Sequence, residues 1–175
     1  MTLAAVFTSL YVVTNFVQAA TVGNPAISGP VQLRVADCLI PLAALFGMPV
    51  VAGVTVGGVL TNAYVSYVAP VDVVLGPIAN LIAATLVMLF RKHQLLATVF
   101  AALPIGIIVG GGYLWWFFPL SDIFGVELPA WTATMVSIII SSLVATVGIG
   151  YPLLKILGRP EVMEPLRSRG LKSHS

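Results

Sequence analysis

Apolar runs, each about as long as a membrane-spanning helix, dominate the pattern of hydrophobic and polar positions along the chain. A bilayer core about 30 Å thick needs roughly 20 helical residues to cross it. Charged residues, prolines and glycine-containing turns interrupt the apolar runs and divide the sequence into six segments. We therefore predict an all-α, integral membrane bundle of six transmembrane helices. The predicted spans are residues 3–20, 31–46, 49–68, 71–90, 95–118 and 129–157.

The second segment differs from the others because it carries charges near its start. Only residues 38–46 are uniformly apolar, so Arg34 and Asp37 fall in its first turns. The stretch before it, residues 21–30, contains Gly-Asn-Pro and Ser-Gly-Pro and is typical of an ordered loop. After the sixth span we predict a polar tail, residues 158–175, so the predicted membrane domain is residues 1–157.

Composition favours lipid as the outer solvent. Hydrophobic residues make up 59% of the 175 residues and charged residues only 8%, against about a quarter charged in an ordinary soluble domain. The first apolar segment lacks a basic start and a cleavage site, so we interpret it as a retained span. The net charge of +2 is small and gives no basic surface for nucleic acid. The single Cys38 and two scattered histidines predict neither a disulfide nor a metal site.

The distribution of Lys and Arg predicts the orientation, because short basic loops stay in the cytoplasm. With the N-terminus inside, the acidic loop of residues 121–127 lies outside and Arg34 is the one basic residue there. Both termini and the tail are then cytoplasmic. The basic residues on the inner side are Arg91, Lys92, Lys155, Arg159, Arg167, Arg169 and Lys172.

Enzyme motifs are missing from the sequence, which has no H-E-x-x-H, G-x-S-x-G or G-x-x-x-x-G-K-[ST]. Without a P-loop, active transport would draw its energy from a partner or an ion gradient. Asp37 and Asp72 form the kind of carboxylate pair that an aspartyl membrane protease needs, but neither lies at mid-bilayer depth in the predicted spans. We therefore predict no catalysis and no cofactor in this chain.

Gln32, Arg34 and Asp37 form the most informative polar cluster. Each charge that enters a membrane helix costs about 2.5–3.5 kcal/mol on insertion scales, so something must compensate these two. Arg34 and Asp37 are three residues apart and share a helix face, which allows a salt bridge. The alternative is a ligand: the carboxylate can accept two hydrogen bonds from a guanine-type edge, while Arg34 or Gln32 contacts the carbonyl of the base.

Three further polar residues lie within or beside the spans. Asp72 opens the fourth span, where a carboxylate caps a helix and favours its dipole, or contacts a ligand. Asn62 and Asn80 lie inside the third and fourth spans. Such amides form hydrogen bonds between helices or line polar pockets.

The end of the fifth span carries an aromatic group of Tyr113, Trp115 and Trp116. An aromatic belt is typical of this membrane depth. A planar ligand at the same depth would also need a stacking ring, so Tyr113 and Trp115 are candidates for ligand contact.

Small residues recur at four-residue spacing in most of the spans, which predicts close helix packing in lipid. One such group lies on the cytoplasmic half of the first span, where a partner subunit can dock. This predicted partner face consists of Ala4, Ala5, Thr8 and Ser9.

Two segments carry a family resemblance, Gly-Pro-Val-Gln-Leu-Arg-Val-Ala-Asp-Cys-Leu at residues 29–39 and Pro-Val-Asp-Val-Val-Leu-Gly-Pro-Ile-Ala at residues 70–79. They resemble the G-P-I-Q-x-R-[VI]-S-E-x-L and P-x-D-[IV]-[VI]-x-G segments of the QueT family, and the likeness extends over roughly residues 1–155. Those proteins are substrate-binding S components of energy-coupling-factor (ECF) transporters assigned to queuosine precursors. Gln32, Arg34 and Asp72 match the pattern, whereas aspartate at position 37 replaces glutamate and Ala36 replaces serine.

The resemblance implies a prokaryotic plasma-membrane protein that binds a 7-deazaguanine-type precursor from outside, beneath the first loop. It also implies a transmembrane coupling subunit on the first span and two partner ATPases that hydrolyse the ATP. The alternatives are an S component for another vitamin-sized ligand and a structural membrane protein without a ligand. The candidate substrate-binding residues are Gln32, Arg34, Asp37, Asn62, Asp72, Asn80, Tyr113 and Trp115.

Overall fold

Helices make up nearly all of the structure, a computed structural model that describes residues 2–21, 34–65, 70–120, 122–123 and 125–168. This confirms the predicted all-α architecture. Four helices are long and apolar enough to cross a membrane: α1 (Thr2–Thr21), α4 (Val71–Leu89), α5 (Arg91–Phe117) and α6 (Ala130–Leu157). Two shorter apolar helices, α2 (Val35–Phe46) and α3 (Met48–Val65), lie between α1 and α4.

All six predicted apolar segments therefore contain a helix, and α1, α4 and α6 begin and end within one residue of their predicted bounds. The number of membrane spans stays a prediction, because α2 and α3 are shorter than the other four helices. The side of each terminus also stays a prediction.

The start of α2 is unusual, because residues Val35–Leu42 form a 3₁₀-helix before an α-helical end at Ala43–Phe46. Pro41 lies inside this element and has no backbone N–H to donate, which disfavours regular α-helical bonding. Gly47 then adopts φ 64°, a conformation that favours glycine, and its carbonyl accepts the first hydrogen bonds of α3. The chain thus turns from α2 into α3 within one residue.

Two stretches of π-helix widen the fifth and sixth helices, at Gly106–Leu114 and Val144–Gly150. Glycines allow close contact there. A Cβ atom added at Gly110 would lie 2.7 Å from the Cα of Met135 in α6, and one at Gly150 would lie 2.7 Å from the carbonyl oxygen of Cys38 in α2.

Helices α1 and α3 pack through small residues, as the sequence spacing predicts. A Cβ atom at Gly53 would lie 2.5 Å from that of Phe7, and one at Gly57 would lie 2.9 Å from that of Tyr11. Close approach of this kind drives helix association in lipid. It also fixes Tyr11 on the inner side of α1.

Two elements lie outside the six apolar helices. Strands β1 (Asp122–Ile123) and β2 (Val126–Glu127) pair antiparallel between α5 and α6, with Gly125 at φ 83° in their turn. Within the segment that the sequence marks only as a polar tail, Pro160–Ser168 forms the helix α7 and buries Met163. A single buried methionine is too weak a pattern to stand out in the sequence.

Candidate functional site

Four of the candidate residues meet at the end of the bundle nearest the β hairpin. Arg34 precedes α2, and its Nη2 donates to Oδ1 of Asn62 on α3 at 3.4 Å. Asn62 Nδ2 donates to the backbone carbonyl of Asp72 on α4 at 2.8 Å. The hydroxyl of Tyr113, on the π-helical part of α5, donates to Asp72 Oδ1. This Arg34 cluster (Arg34, Asn62, Asp72 and Tyr113) joins four segments of the chain.

A second group, the Asp37 cluster (Tyr11, Asp37 and Asn80), is almost fully buried. The Tyr11 hydroxyl donates to Asp37 Oδ1 at 3.1 Å, and Asn80 Nδ2 donates to the Tyr11 oxygen at 2.8 Å. Tyr11 has one hydroxyl proton and directs it at the carboxylate, so it can only accept from Asn80. The hydrogen bonds therefore run in one direction, from Asn80 through Tyr11 to Asp37.

Two acceptor atoms of the Asp37 cluster are unpaired among the described residues. Asp37 Oδ2 and Asn80 Oδ1 are buried, and neither has a hydrogen-bond partner among the described residues. A buried polar atom without a partner costs about 1–3 kcal/mol, and more when it is charged. Asn80 Oδ1 can only accept a hydrogen bond, and so can Asp37 Oδ2 when the carboxyl group is ionised. A group that satisfies both atoms must therefore bring N–H or O–H donors.

The salt bridge that spacing allows between Arg34 and Asp37 is not formed in the described part of the chain. Asp37 accepts from Tyr11 and Arg34 donates to Asn62. Arg34 nevertheless interacts electrostatically with both Asp37 and Asp72. One guanidinium thus acts on two carboxyl groups, which compensates part of their charge without a direct ion pair between Arg34 and Asp37.

Glycines make room for the two amides. A Cβ atom at Gly76 on α4 would lie 2.5 Å from Asn62 Nδ2, and one at Gly58 on α3 would lie 3.1 Å from Asn80 Nδ2. Asn80 Nδ2 also reaches the Val54 carbonyl on α3 at 3.5 Å. Each helix of the α3–α4 pair therefore offers a glycine to the amide of the other.

Comparison with known proteins decides the family. The chain matches the QueT transporter family over residues 1–159. It belongs to the QueT family. No curated protein and no solved structure matches it. QueT is a family of transporters, not of enzymes, so the chain is a membrane protein with a role in transport.

Within this QueT family member, Trp115 belongs to neither cluster. Trp115 packs against Trp116 with ring centroids 5.5 Å apart, and the Trp116 side chain is exposed. That arrangement suits the aromatic belt that the sequence also allows. Gln32 lies outside the described residues.

Asp72 lies in the first turn of α4, where its charge favours the helix dipole while its side chain contacts Tyr113.

Sequence reasoning missed two residues of this part of the QueT fold. Tyr11 connects Asp37 to Asn80, and the Gln18 Oε1 atom accepts from the backbone N–H of Val35 at 2.9 Å, which ties α1 to the start of α2. The sequence did contain a signal for Tyr11. It lies four residues after Phe7, so both side chains lie on the same face of α1, which packs against glycines of α3.

The predicted partner face of α1 divides into two parts. Ala5 and Ser9 are exposed, whereas Ala4 and Thr8 are half-buried toward α3. The Ala4 carbonyl lies 3.0 Å from the position of a Cβ at Gly53, and it also accepts from the Thr8 hydroxyl at 3.0 Å. Within α1, Ala5 and Ser9 are therefore the members of this face that a partner helix can reach.

Proposed function

We propose that this chain is the substrate-binding S component of an ATP-driven ECF importer in a prokaryotic plasma membrane. Its substrate is a queuosine precursor of the 7-deazaguanine type. Membership of the QueT transporter family supports a role in transport. The observation that carries the choice of ligand is the pair of buried acceptors without partners, Asp37 Oδ2 and Asn80 Oδ1.

A guanine-type base supplies the donors that this pair lacks. Its ring N–H and its exocyclic amine lie side by side on one edge and point the same way, so they can meet a carboxylate oxygen and a neighbouring amide oxygen. Asp37 is available through Oδ2 because Tyr11 already occupies Oδ1. The polar edge of the base then replaces the solvation that burial removed from these atoms.

The carbonyl of the same base needs a donor. Arg34 is the basic residue nearest to Asp37 in the sequence. Its planar guanidinium carries five N–H groups, and the contact to Asn62 uses one of them. Tyr113 and Asp72 hold the far side of the Arg34 cluster. In this proposal the two clusters contact opposite sides of the polar edge of one ligand.

Transport requires that ligand binding be communicated to partner subunits that hydrolyse ATP. Helix α1 has contacts suited to this role. Its inner side places Tyr11 between Asp37 and Asn80, while its outer side exposes Ala5 and Ser9. A coupling subunit that docks on the small residues would therefore act on the same helix that organises the buried acceptors.

Equilibrium binding by calorimetry tests the proposal on the purified full chain. The panel is 7-deazaguanine, its analogue without the 2-amino group, thiamine and riboflavin. We expect 7-deazaguanine to bind and the analogue to bind about tenfold more weakly, because one donor is worth roughly 1–2 kcal/mol. Preference for thiamine or riboflavin would identify a different vitamin-sized ligand, and no binding at all would favour a structural role.

A further inference from the structure

An apolar groove runs along the surface between α4 and α5. Its volume is about 680 Å³. Ile82 lines it from α4, Phe90 lines it just after α4, and Leu96, Leu103 and Ile107 line it from α5. Each of these five side chains is exposed on the lipid-facing surface. The groove extends from position 93 to position 108 of α5, which at 1.5 Å per residue is about 22 Å.

A second cavity, of about 470 Å³, lies at the end of the bundle opposite the Arg34 cluster. Lys92, His93, Tyr151 and Lys155 contribute its polar lining together with Gln94. Lys92 and Lys155 are exposed, and the Lys155 ammonium lies 5.3 Å from the centroid of the Tyr151 ring. No acidic side chain is among the residues that line this cavity in the described part of the chain.

The two cavities lie next to each other. His93 and Leu96 line both, so one end of the apolar groove adjoins the basic cavity. A ligand that fills both must join a long apolar chain to an anionic group. An anionic phospholipid has that form, and one leaflet of the hydrocarbon core is about 15 Å deep, which the groove accommodates.

We infer that this surface is a binding site for an anionic phospholipid, with its phosphate on Lys92 and Lys155 and one acyl chain in the groove between α4 and α5. Basic cavities between membrane helices bind such headgroups, and lysines held at the membrane surface attract anionic lipids. The site is distinct from both polar clusters, since none of their residues lines either cavity. The inference does not depend on which ligand is transported.

Native mass spectrometry of the purified chain measures this directly. The protein is mixed with phosphatidylglycerol or with phosphatidylcholine of identical acyl chains, and bound lipid is counted. We expect phosphatidylglycerol to be retained preferentially, and the double variant Lys92→Gln/Lys155→Gln to lose about tenfold of that preference. The matched control Arg91→Gln/Arg159→Gln removes the same charge from exposed residues that line neither cavity, and it should retain the preference.

The groove has its own test. Leu103→Trp fills it and should reduce retention of phosphatidylglycerol, whereas Val99→Trp adds the same bulk to an exposed position of α5 outside the groove. Equal retention of the two lipids by the unaltered chain would overturn the inference, as would equal losses in the two double variants. A dimer that persists in the same spectra and disappears in Leu103→Trp would show that a second copy occupies the groove instead.

Discussion

The buried Tyr11 hydroxyl forms hydrogen bonds with two other buried polar groups. It donates to Asp37 and accepts from Asn80, and its ring is fully buried beside Gly57. A carboxylate in such surroundings depends on each hydrogen bond it receives. Tyr11 is therefore a structural requirement of the site as well as part of it.

Replacement of Tyr11 by phenylalanine should destabilise the protein by about 1–3 kcal/mol, because Asp37 loses its described hydrogen bond while the ring still fits. The melting temperature in detergent measures this. Tyr64→Phe is the matched control, since Tyr64 is 85% exposed and should melt like the unaltered chain. Equal melting of the two variants would mean that the Tyr11 hydroxyl bond contributes nothing.

Asp37→Asn should weaken binding of 7-deazaguanine by at least about tenfold, because a charge-assisted hydrogen bond is worth more than a neutral one. The melting temperature should show a folded protein, since asparagine has nearly the same shape. Glu127→Gln removes one negative charge from the exposed β2 strand and should leave affinity unchanged. Unaltered affinity in Asp37→Asn would remove Asp37 from the site.

For individual residues, the sequence identifies candidate site residues better than it identifies the partners they contact. Arg34, Asp37 and Asp72 stand out because charges are costly in apolar segments. Their partners do not follow from spacing: Arg34 contacts Asn62 on another helix, 28 residues away, instead of Asp37 on its own turn. Such pairs depend on how neighbouring helices are rotated, and one chain's hydropathy contains no information about that rotation.

Helices α3 and α4 each have a glycine where the asparagine side chain of the other helix packs against them. Gly76→Ala should place a methyl group against Asn62 Nδ2, displace the amide from Arg34 and Asp72, and destabilise the protein by about 1–3 kcal/mol. Ligand affinity should fall as well. Gly148→Ala in α6 is the control, because nothing lies within 4 Å of its added Cβ. Similar melting temperatures for both variants would contradict the close contact.

The exposed face of α1 can be tested against ligand binding. Ala5→Trp should abolish uptake of labelled substrate in cells that contain the complete importer, while calorimetric affinity of the purified chain stays unchanged. Leu10→Trp is the comparison, since Leu10 is also exposed and lies about 140° around the same helix. Loss of affinity together with uptake in Ala5→Trp would show that Ala5 serves internal packing.

Elements were predictable in position more than in type. Apolar length locates all six helices, and small-residue spacing predicts close helix packing without saying which helices meet. The 3₁₀ start of α2 and the π-helical parts of α5 and α6 were not predicted. Hydropathy reports which residues avoid water, whereas the type of helical turn depends on local hydrogen bonding and on packing against particular neighbours.

Orientation is a property of the whole molecule that one labelling experiment can decide. Cys38 is buried and should react slowly, so cysteines introduced one at a time report on side. A membrane-impermeant maleimide should modify Glu127→Cys in intact cells and Arg159→Cys only after the cells are opened. The reverse pattern would invert the predicted topology, and equal labelling of Glu127→Cys and Arg159→Cys would place them on one side.

The reciprocal amide contacts of α3 and α4 also bear on how the protein enters the bilayer. Asn62 bonds the backbone of α4 at Asp72, and Asn80 bonds that of α3 at Val54, so each amide finds a partner within the pair. A helical hairpin whose two amides each donate to the backbone of the other helix carries fewer unpaired N–H groups into the lipid. Arg34, made earlier during synthesis, acquires Asn62 only once that hairpin exists. We therefore expect an order of assembly in which the hairpin inserts first and the charged segment before it then packs against the hairpin.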